Sequence, residues 1–171
     1  MKKNNSIIIG SGVIGGYLAK LLLSKKQKVI VTSRRAKKSY TNYSKLNIEN
    51  KIIFEELDVL KKEDILKLLK KYTPKNIFYF SGQSSLTKSI KLKKITNDSN
   101  YIGAKKILEI LHKYKLKTNF YKANSGYILE PKKGFVNIKS KISKNKNPYI
   151  LSQIKAFKEV KTFRKRGVNC C

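Results

Sequence analysis

The sequence predicts a doubly wound α/β fold of three layers, in which helices cover both faces of a parallel sheet. Two observations favour this class. An apolar run at residues 6–9 leads through a glycine turn into an amphipathic stretch at 17–23, and strand-like and helix-like segments then alternate along the chain. Such alternation requires right-handed crossovers and therefore parallel strands. At 171 residues, we expect one domain spanning 1–171.

The first half of the chain supplies two further strands and a second helix. Residues 28–33 and 51–54 are predicted strands, separated by a polar, lysine-rich segment at 34–50 that has no apolar period and is predicted to be a loop. Residues 61–72 are a predicted helix, because its apolar residues share one face and its acidic start and basic end suit the helix dipole. These apolar residues are Ile65, Leu68, Leu69 and Tyr72.

The second half continues the alternation after the break at Thr73-Pro74-Lys75. Strands are predicted at 76–80 and 118–123, with a helix at about 97–115 between them. A lysine-rich connection at 134–147 has no clear structure, and Pro148 begins a long helix that ends near residue 166. Residues 168–171 are expected to start a sixth strand.

The formal net charge of +30, from 40 Lys and Arg against 10 Asp and Glu, would ordinarily suggest a nucleic acid or an anionic membrane as partner. The lysines are scattered through the predicted helices and loops, however, and neither a zinc-finger spacing nor an aromatic and basic RNA-binding signature is present. We therefore expect no specific nucleic-acid partner, although salt-sensitive affinity for polyanions should remain.

The only two cysteines, Cys170 and Cys171, are adjacent at the end of the sequence, so we expect neither a disulfide framework nor a metal site. A reducing cytoplasm is the compartment that this usage favours. The apolar run after residues 1–5 is short and interrupted by glycines, which supports neither a signal peptide nor a membrane span.

The glycine turn Gly10-Ser-Gly12-Val-Ile-Gly15 predicts a dinucleotide site. Gly10 would permit the tight turn, Gly12 would let the backbone approach a pyrophosphate, and Gly15 would let the helix pack on the strand. The phosphates would face free N–H groups, including those of Val13 and Ile14, at the positive end of the helix. Glycines at this spacing also occur in ordinary turns, which is the structural alternative.

Two positions downstream bear on the choice of dinucleotide. A protein selective for NAD typically carries an acidic residue after the second strand, whereas this chain has Arg34 and Arg35. The arginines favour the 2′-phosphate of NADP, with NAD as the alternative if they are only two more surface cations. Asp58 could accept a hydrogen bond from an adenine amino group or could cap the next helix.

Seven motifs in order carry a family resemblance. They are Gly10-Ser-Gly-Val-Ile-Gly15-Gly-Tyr17-Leu-Ala, Ser33-Arg34-Arg35, Leu57-Asp58, Phe80-Ser-Gly-Gln83-Ser84, Asn100-Tyr-Ile-Gly103, Phe120-Tyr-Lys-Ala-Asn-Ser125 and Pro148-Tyr149. The chain resembles the extended short-chain dehydrogenases/reductases, which have a Rossmann-type fold, and most of all the GDP-mannose 4,6-dehydratases and related nucleotide-sugar dehydratases and epimerases. The resemblance spans essentially the whole chain.

The resemblance implies a cofactor site and a catalytic pair. Ser125 and Tyr149 would hold the positions of the hydroxyl residue and the tyrosine that do the redox chemistry. The residues implied at the cofactor, besides the glycine turn and Tyr149 itself, are Arg34, Arg35, Asp58, Val59, Ser81, Gly82, Gln83, Ser84 and Asn100.

Four departures from the family pattern bear on activity. The lysine expected four residues after Tyr149, whose charge would lower the pKa of the phenol, is replaced by Gln153. Tyr127 stands where the dehydratases carry a glutamate base, and Leu129-Glu130 replaces a Tyr-Gly pair. The family's fold also continues into a substrate domain that we expect to be absent here, as if the chain were truncated or degenerate.

Three functions remain open at this point. The first is the cofactor-binding half of an NADP-dependent nucleotide-sugar dehydratase or epimerase, with GDP-mannose as the favoured substrate and homo-oligomerisation left open. The second is a non-catalytic dinucleotide-binding module, which Gln153 and Tyr127 favour. The third is a basic protein associated with nucleic acid, which the even spread of lysine disfavours.

Overall fold

The computed structural model describes residues 4–34 and 41–171, and its centre is a sheet of five parallel strands in the order β3-β2-β1-β4-β5. Ile7 in the central strand lies opposite Ile30 on one side and Ile77 on the other. The parallel sheet confirms the predicted fold class. The strands are β1 (Asn5–Ile9), β2 (Lys28–Ser33), β3 (Ile53–Glu56), β4 (Asn76–Tyr79) and β5 (Asn119–Lys122).

Helices connect the strands in the predicted alternation. Short 3₁₀ turns at Glu49–Lys51 and Gly126–Ile128 and a π-helical turn at Asp98–Ile102 accompany them. The α-helices are α1 (Val13–Ser24), α2 (Thr41–Ser44), α3 (Lys62–Tyr72), α4 (Leu86–Lys91), α5 (Lys93–Asn97), α6 (Gly103–Lys113) and α7 (Pro148–Lys165).

Two apolar clusters lie on opposite faces of the sheet, as a strand buried on both faces requires. Ile7 packs with residues of α3, α6 and α7, whereas its neighbour Ile8 packs with residues of α1 and α2. Both isoleucines are fully buried. A third, smaller cluster gathers around Ile128, Ile150 and Ile154, where α7 meets the turn after β5.

The sixth strand predicted at 168–171 is observed only as an isolated bridge beside β5. Cys170 pairs with Phe120 in a parallel bridge, and the backbone N–H of Cys171 donates to the carbonyl of Phe120 at 2.9 Å. The predicted helix at 97–115 is observed as the π-helical turn Asp98–Ile102 followed by α6, which ends at Lys113.

Residues 41–50, predicted as loop, instead contain α2 and most of a 3₁₀ turn that ends at Lys51. Tyr43 is fully buried, and its ring meets that of Phe54 edge-on at a centroid distance of 5.1 Å. The prediction was wrong because a helix of four residues anchored by one aromatic ring has no apolar period to detect.

Two helices between β4 and the π-helical turn were also not predicted. Ile90 in α4 and Ile95 in α5 are exposed, so these short helices lack the one-sided apolar pattern of a surface helix. Among the described residues, no helix is long and apolar enough to cross a membrane.

Candidate functional site

A cleft of about 1020 Å³ lies at the carboxyl edge of the sheet, between the ends of β1, β2, β3 and β4. The strand order reverses direction between β1 and β4, which is where doubly wound sheets bind ligands. We call this the carboxyl-edge cleft. Its lining is Ile9, Gly10, Ser11, Gly12, Thr32, Ser33, Arg34, Leu57, Asp58, Val59, Leu60, Phe80, Ser81, Gly82, Gln83, Ile95, Asp98 and Ser99.

Two glycines of the turn allow close backbone packing at the corner between β1 and α1. Gly10 has a φ of +109°, and a Cβ there would lie 2.8 Å from the backbone nitrogen of Ser81. A Cβ on Gly15 would lie 2.6 Å from the carbonyl oxygen of Gly10. Close backbone approach therefore requires glycine at both positions, in agreement with the packing roles that the motif predicts.

Gly12 differs from both, because a Cβ there would meet no described atom within 4 Å. It lines the carboxyl-edge cleft and is the N-cap of α1, where no side chain caps the helix and no acidic residue lies in the first turn. The N–H groups of that turn are thus left without a capping side chain, as an anion-binding helix terminus requires. Val13 and Ile14, which were predicted to contact the cofactor, do not line the cleft, and both are largely exposed.

Two predicted adenosine-side residues, Arg34 and Asp58, both line the carboxyl-edge cleft, and Arg35 lies outside the described residues. Oδ1 of Asp58 accepts a hydrogen bond from the N–H of Leu60 at 2.9 Å. The N-cap of α3 is Lys61, so Asp58 caps the preceding turn rather than the helix.

Hydrogen bonds from side chains outside the lining of the cleft fix the position of the segment after β4. Gln83 lines the cleft, and its carbonyl accepts from Nδ2 of Asn100 at 3.0 Å, while the same nitrogen lies 3.1 Å from Oγ of Ser152. Asn100 is buried behind the cleft and supports it, and Ser84 is exposed outside the lining. Val59, Ser81 and Gly82 lie in the lining as expected.

Residues from α5 and the π-helical turn also line the carboxyl-edge cleft, although the sequence did not predict that these segments contribute to it. Ile95, Asp98 and Ser99 line it, and Oγ of Ser99 accepts from the N–H of Gln83 at 3.3 Å. Thr32 also lines it, and its buried Oγ1 has no hydrogen-bond partner among the described residues. No sequence motif marks these positions.

The two catalytic candidates lie outside the lining of the cleft, in the segments after β5. Oγ of Ser125 caps the turn Gly126–Ile128 by accepting from the N–H of Tyr127 at 3.3 Å. Tyr149 is half-buried in the first turn of α7 and packs against the cluster around Ile128. The hydrogen bonds of the described residues include none between the Ser125 and Tyr149 side chains.

Gln153 contacts Lys122, which lies in the motif at 120–125 but was given no role there. Nζ of Lys122, at the end of β5, donates to Oε1 of Gln153 at 3.1 Å and to the carbonyl of Ala123. Both side chains are buried, at 7% and 6% exposure, and burial lowers the pKa of Lys122 to about 8. The signal available in the sequence was a lysine two residues after Phe120, on the inward-facing register of a strand.

Tyr127, which also departs from the family pattern, lies in the short turn after β5 and is 60% exposed. Glu130 lies in the same segment, where its Oε1 accepts from the N–H of Lys144 at 3.2 Å. This segment is joined to residue 142 by an antiparallel bridge at Leu129.

The family model described as GDP-mannose 4,6 dehydratase matches residues 7–166. The chain belongs to this family. Among curated relatives of this dehydratase-family chain, CDP-paratose 2-epimerase of Salmonella typhi is 30% identical over 111 residues, which cover 64% of the chain and 33% of the relative.

Solved structures show the same fold for this dehydratase-family member. UDP-glucose 4-epimerase from Brucella ovis, in complex with NAD, matches 98% of the chain and 50% of its own length, with a TM-score of 0.83 at 18% identity. A dTDP-glucose 4,6-dehydratase from Streptomyces venezuelae, with NAD bound, matches 97% and 53% with a TM-score of 0.82 at 17% identity. The chain spans about half the length of these structures and about a third of the Salmonella relative.

Proposed function

We propose that the carboxyl-edge cleft binds a nicotinamide dinucleotide. The observation that carries this proposal is Gly12, which combines open space at its Cβ position with an uncapped helix N-terminus at the floor of the cleft. A pyrophosphate needs both, because it must approach the backbone closely and be met by free N–H groups. The Brucella epimerase was crystallised in complex with NAD, which supports the same class of cofactor for this family member.

NADP is the preferred form of the dinucleotide in this proposal. Arg34 lines the cleft directly after β2, following Thr32 and Ser33, so the described end of that strand carries no carboxylate for a ribose 2′-hydroxyl. A guanidinium suits a 2′-phosphate through charge-assisted hydrogen bonds. Arg35 would add to this charge.

The proposed reaction begins with oxidation of a sugar hydroxyl on a nucleotide-sugar, with GDP-mannose as the favoured substrate. The bound nicotinamide would accept a hydride from the sugar carbon. Tyr149, acting as its phenolate, would take the proton of the same hydroxyl and become the neutral phenol, so that a ketone forms, and Ser125 would orient that hydroxyl by hydrogen bonding. Both residues lie at the carboxyl edge, where β5 ends and α7 begins.

A second candidate function is dinucleotide binding without turnover. It is favoured by Tyr127, an exposed phenol where the family carries a glutamate, and by the neutral amide at Gln153. A protonated phenol is a poor base for loss of water.

The cofactor proposal is tested by calorimetric titration of the full chain with NADP and with NAD. Gly12→Val should fold normally, because its side chain meets open space, and should lose measurable affinity for both forms. Gly126→Val is the matched control, since a Cβ there also meets no described atom within 4 Å and Gly126 does not line the cleft. Tighter binding of NADP than NAD would support the role of Arg34.

Absence of binding by the wild-type chain, or equal binding by folded Gly12→Val, would overturn the cofactor proposal. Mixing the chain with NADP and GDP-mannose then separates the two candidates. Transient absorbance of reduced nicotinamide, or conversion of GDP-mannose to a dehydrated or epimerised product, supports the oxidation step, whereas binding with neither change supports the non-catalytic module.

A further inference from the structure

Lys122 occupies a position in β5 that packing alone would give to an apolar residue. Side chains of a strand alternate between faces, and Phe120 and Lys122 share the inward face while Tyr121 is exposed. Phe120 belongs to the main apolar cluster. Lys122 therefore places an ammonium group on the buried face of the sheet that Phe120 also occupies.

The ammonium of Lys122 has hydrogen-bond acceptors but no described carboxylate. Its contacts are the carbonyl of Ala123, Oε1 of Gln153 at 3.1 Å, and the ring of Tyr79, whose centroid lies 5.7 Å away. None of the salt bridges among the described residues includes it. A buried charge without a counter-charge costs folding stability, so its presence is better explained by function than by packing.

The hydrogen bond from Lys122 also fixes the orientation of Gln153. Because Oε1 accepts from the ammonium, Nε2 must point the other way as a donor. This nitrogen has no partner among the described hydrogen bonds, and it is not completely buried. Gln153 thus presents its amide NH₂ group, which carries two N–H donors, on the side away from Lys122.

Gln153 lies four residues after Tyr149 on α7, which is about one helical turn or about 6 Å along the axis. The Lys122 ammonium is therefore joined through one amide to the turn that carries Tyr149. Lys155 is a poorer candidate for this role, because it is exposed and its Nζ lies 3.5 Å from Oδ1 of Asn97.

We propose that Lys122 replaces the lysine missing at position 153, its ammonium holding the Gln153 amide as a donor to the nicotinamide ribose and supplying positive charge near Tyr149. The inference rests on the proposed binding of a nicotinamide dinucleotide. Lys122 is a positioning residue, since it acts through Gln153.

Three variants of the full chain test this arrangement by calorimetric titration with NADP and NAD. Lys122→Met removes the charge and keeps the length of the side chain. Gln153→Lys alone places a second ammonium beside Lys122, and the double exchange Lys122→Gln/Gln153→Lys restores one lysine and one glutamine. Lys155→Met is the matched control on the exposed face of α7.

We expect Lys122→Met to weaken dinucleotide binding by about fivefold to tenfold, the effect of losing one well-placed hydrogen bond. Its thermal unfolding midpoint should not fall, because an uncompensated buried charge is removed. The double exchange should regain affinity within about a factor of two of the wild-type chain, as expected for a coupled pair. Gln153→Lys alone should lower the unfolding midpoint, and Lys155→Met should change neither quantity.

The outcomes separate this inference from the proposed function. Wild-type affinity in folded Lys122→Met, or a folded double exchange that stays weak, overturns the role of Lys122 and leaves the cofactor proposal intact. A wild-type chain that binds neither dinucleotide overturns both. If Lys122→Met does not fold, affinity of the double exchange decides, because it retains both functional groups.

Discussion

Individual residues at the carboxyl edge of the sheet separate structural from functional roles. Gly10 and Gly15 are required by backbone contacts within the protein, whereas nothing described in the fold requires Gly12 to lack a side chain. Packing does not explain the pair of Lys122 and Gln153. The ammonium of Lys122 is buried, and none of the salt bridges among the described residues gives it a carboxylate partner. Residues whose identity the fold does not explain are the best markers of a ligand site.

The depressed pKa of Lys122 predicts a distinct pH dependence of stability. Burial lowers this pKa from 10.5 to about 8, so the unfolded chain holds the proton more tightly than the folded one. The free energy of unfolding should therefore be lowest below pH 8 and rise between pH 8 and about 10, by up to about 3 kcal/mol from this group.

Urea unfolding of the wild-type chain and of Lys122→Met across this range measures the effect as a difference. The other titrating groups are common to both proteins and cancel. A difference in unfolding free energy that stays constant from pH 7 to about pH 10 would contradict the assignment of a depressed lysine pKa.

At the scale of elements, hydrogen bonds between the start of α7 and the segments that follow β4 and β5 hold the candidate catalytic residues in place. Asn147 caps α7, with its Oδ1 accepting from the N–H of Tyr149 at 2.9 Å. The same oxygen accepts from Oγ of Ser89 at 3.1 Å, and Nδ2 donates to the carbonyl of Leu86 at 3.3 Å. One side chain thus positions the first turn of α7, which carries Tyr149, against α4.

We expect Asn147→Ala to lower the free energy of unfolding by about 1 to 2 kcal/mol, because both a helix cap and a contact between helices are lost. Urea unfolding followed by circular dichroism measures this. Asn137→Ala is a suitable control, since Oδ1 of Asn137 accepts only from the N–H of Lys139 in an exposed loop. Equal destabilisation by the two variants would show that Asn147 does not anchor α7.

At the scale of the whole molecule, charge works against the compact state. The formal net charge is +30, and the four described salt bridges leave most lysines unpaired by carboxylates. Like charges at this density repel one another more strongly in the folded chain than in the expanded one. The same field would attract anionic ligands, including a dinucleotide, to the carboxyl-edge cleft.

This repulsion predicts that salt stabilises the protein. Raising ionic strength from about 0.01 M to about 0.15 M shortens the screening length from about 30 Å to about 8 Å. The urea midpoint should increase across this range in potassium chloride, whereas an uncharged osmolyte at equal osmolality serves as control. A midpoint that is unchanged or falls with salt would argue against net repulsion as a major cost.

Local sequence patterns determined the alternation of elements and the glycine corner. The apolar run of β1, the one-sided helix α3 and the Pro148 start of α7 were all predicted within a few residues, because spacing encodes backbone conformation and burial directly. Glycine spacing likewise located Gly10, Gly12 and Gly15 at the corner beside the carboxyl-edge cleft. The family resemblance placed Ser125 and Tyr149 in the segments that follow β5.

Only the tertiary structure joined side chains that are distant in the chain. It brought Lys122 to Gln153, 31 residues away, and Asn100 to Ser152, 52 residues away. It also placed α5 and the π-helical turn beside the carboxyl-edge cleft, so that Ile95 and Ser99 line the cleft. Such contacts depend on how whole elements pack, which no local periodicity records, and so the partner of Gln153 could be identified only in the folded chain.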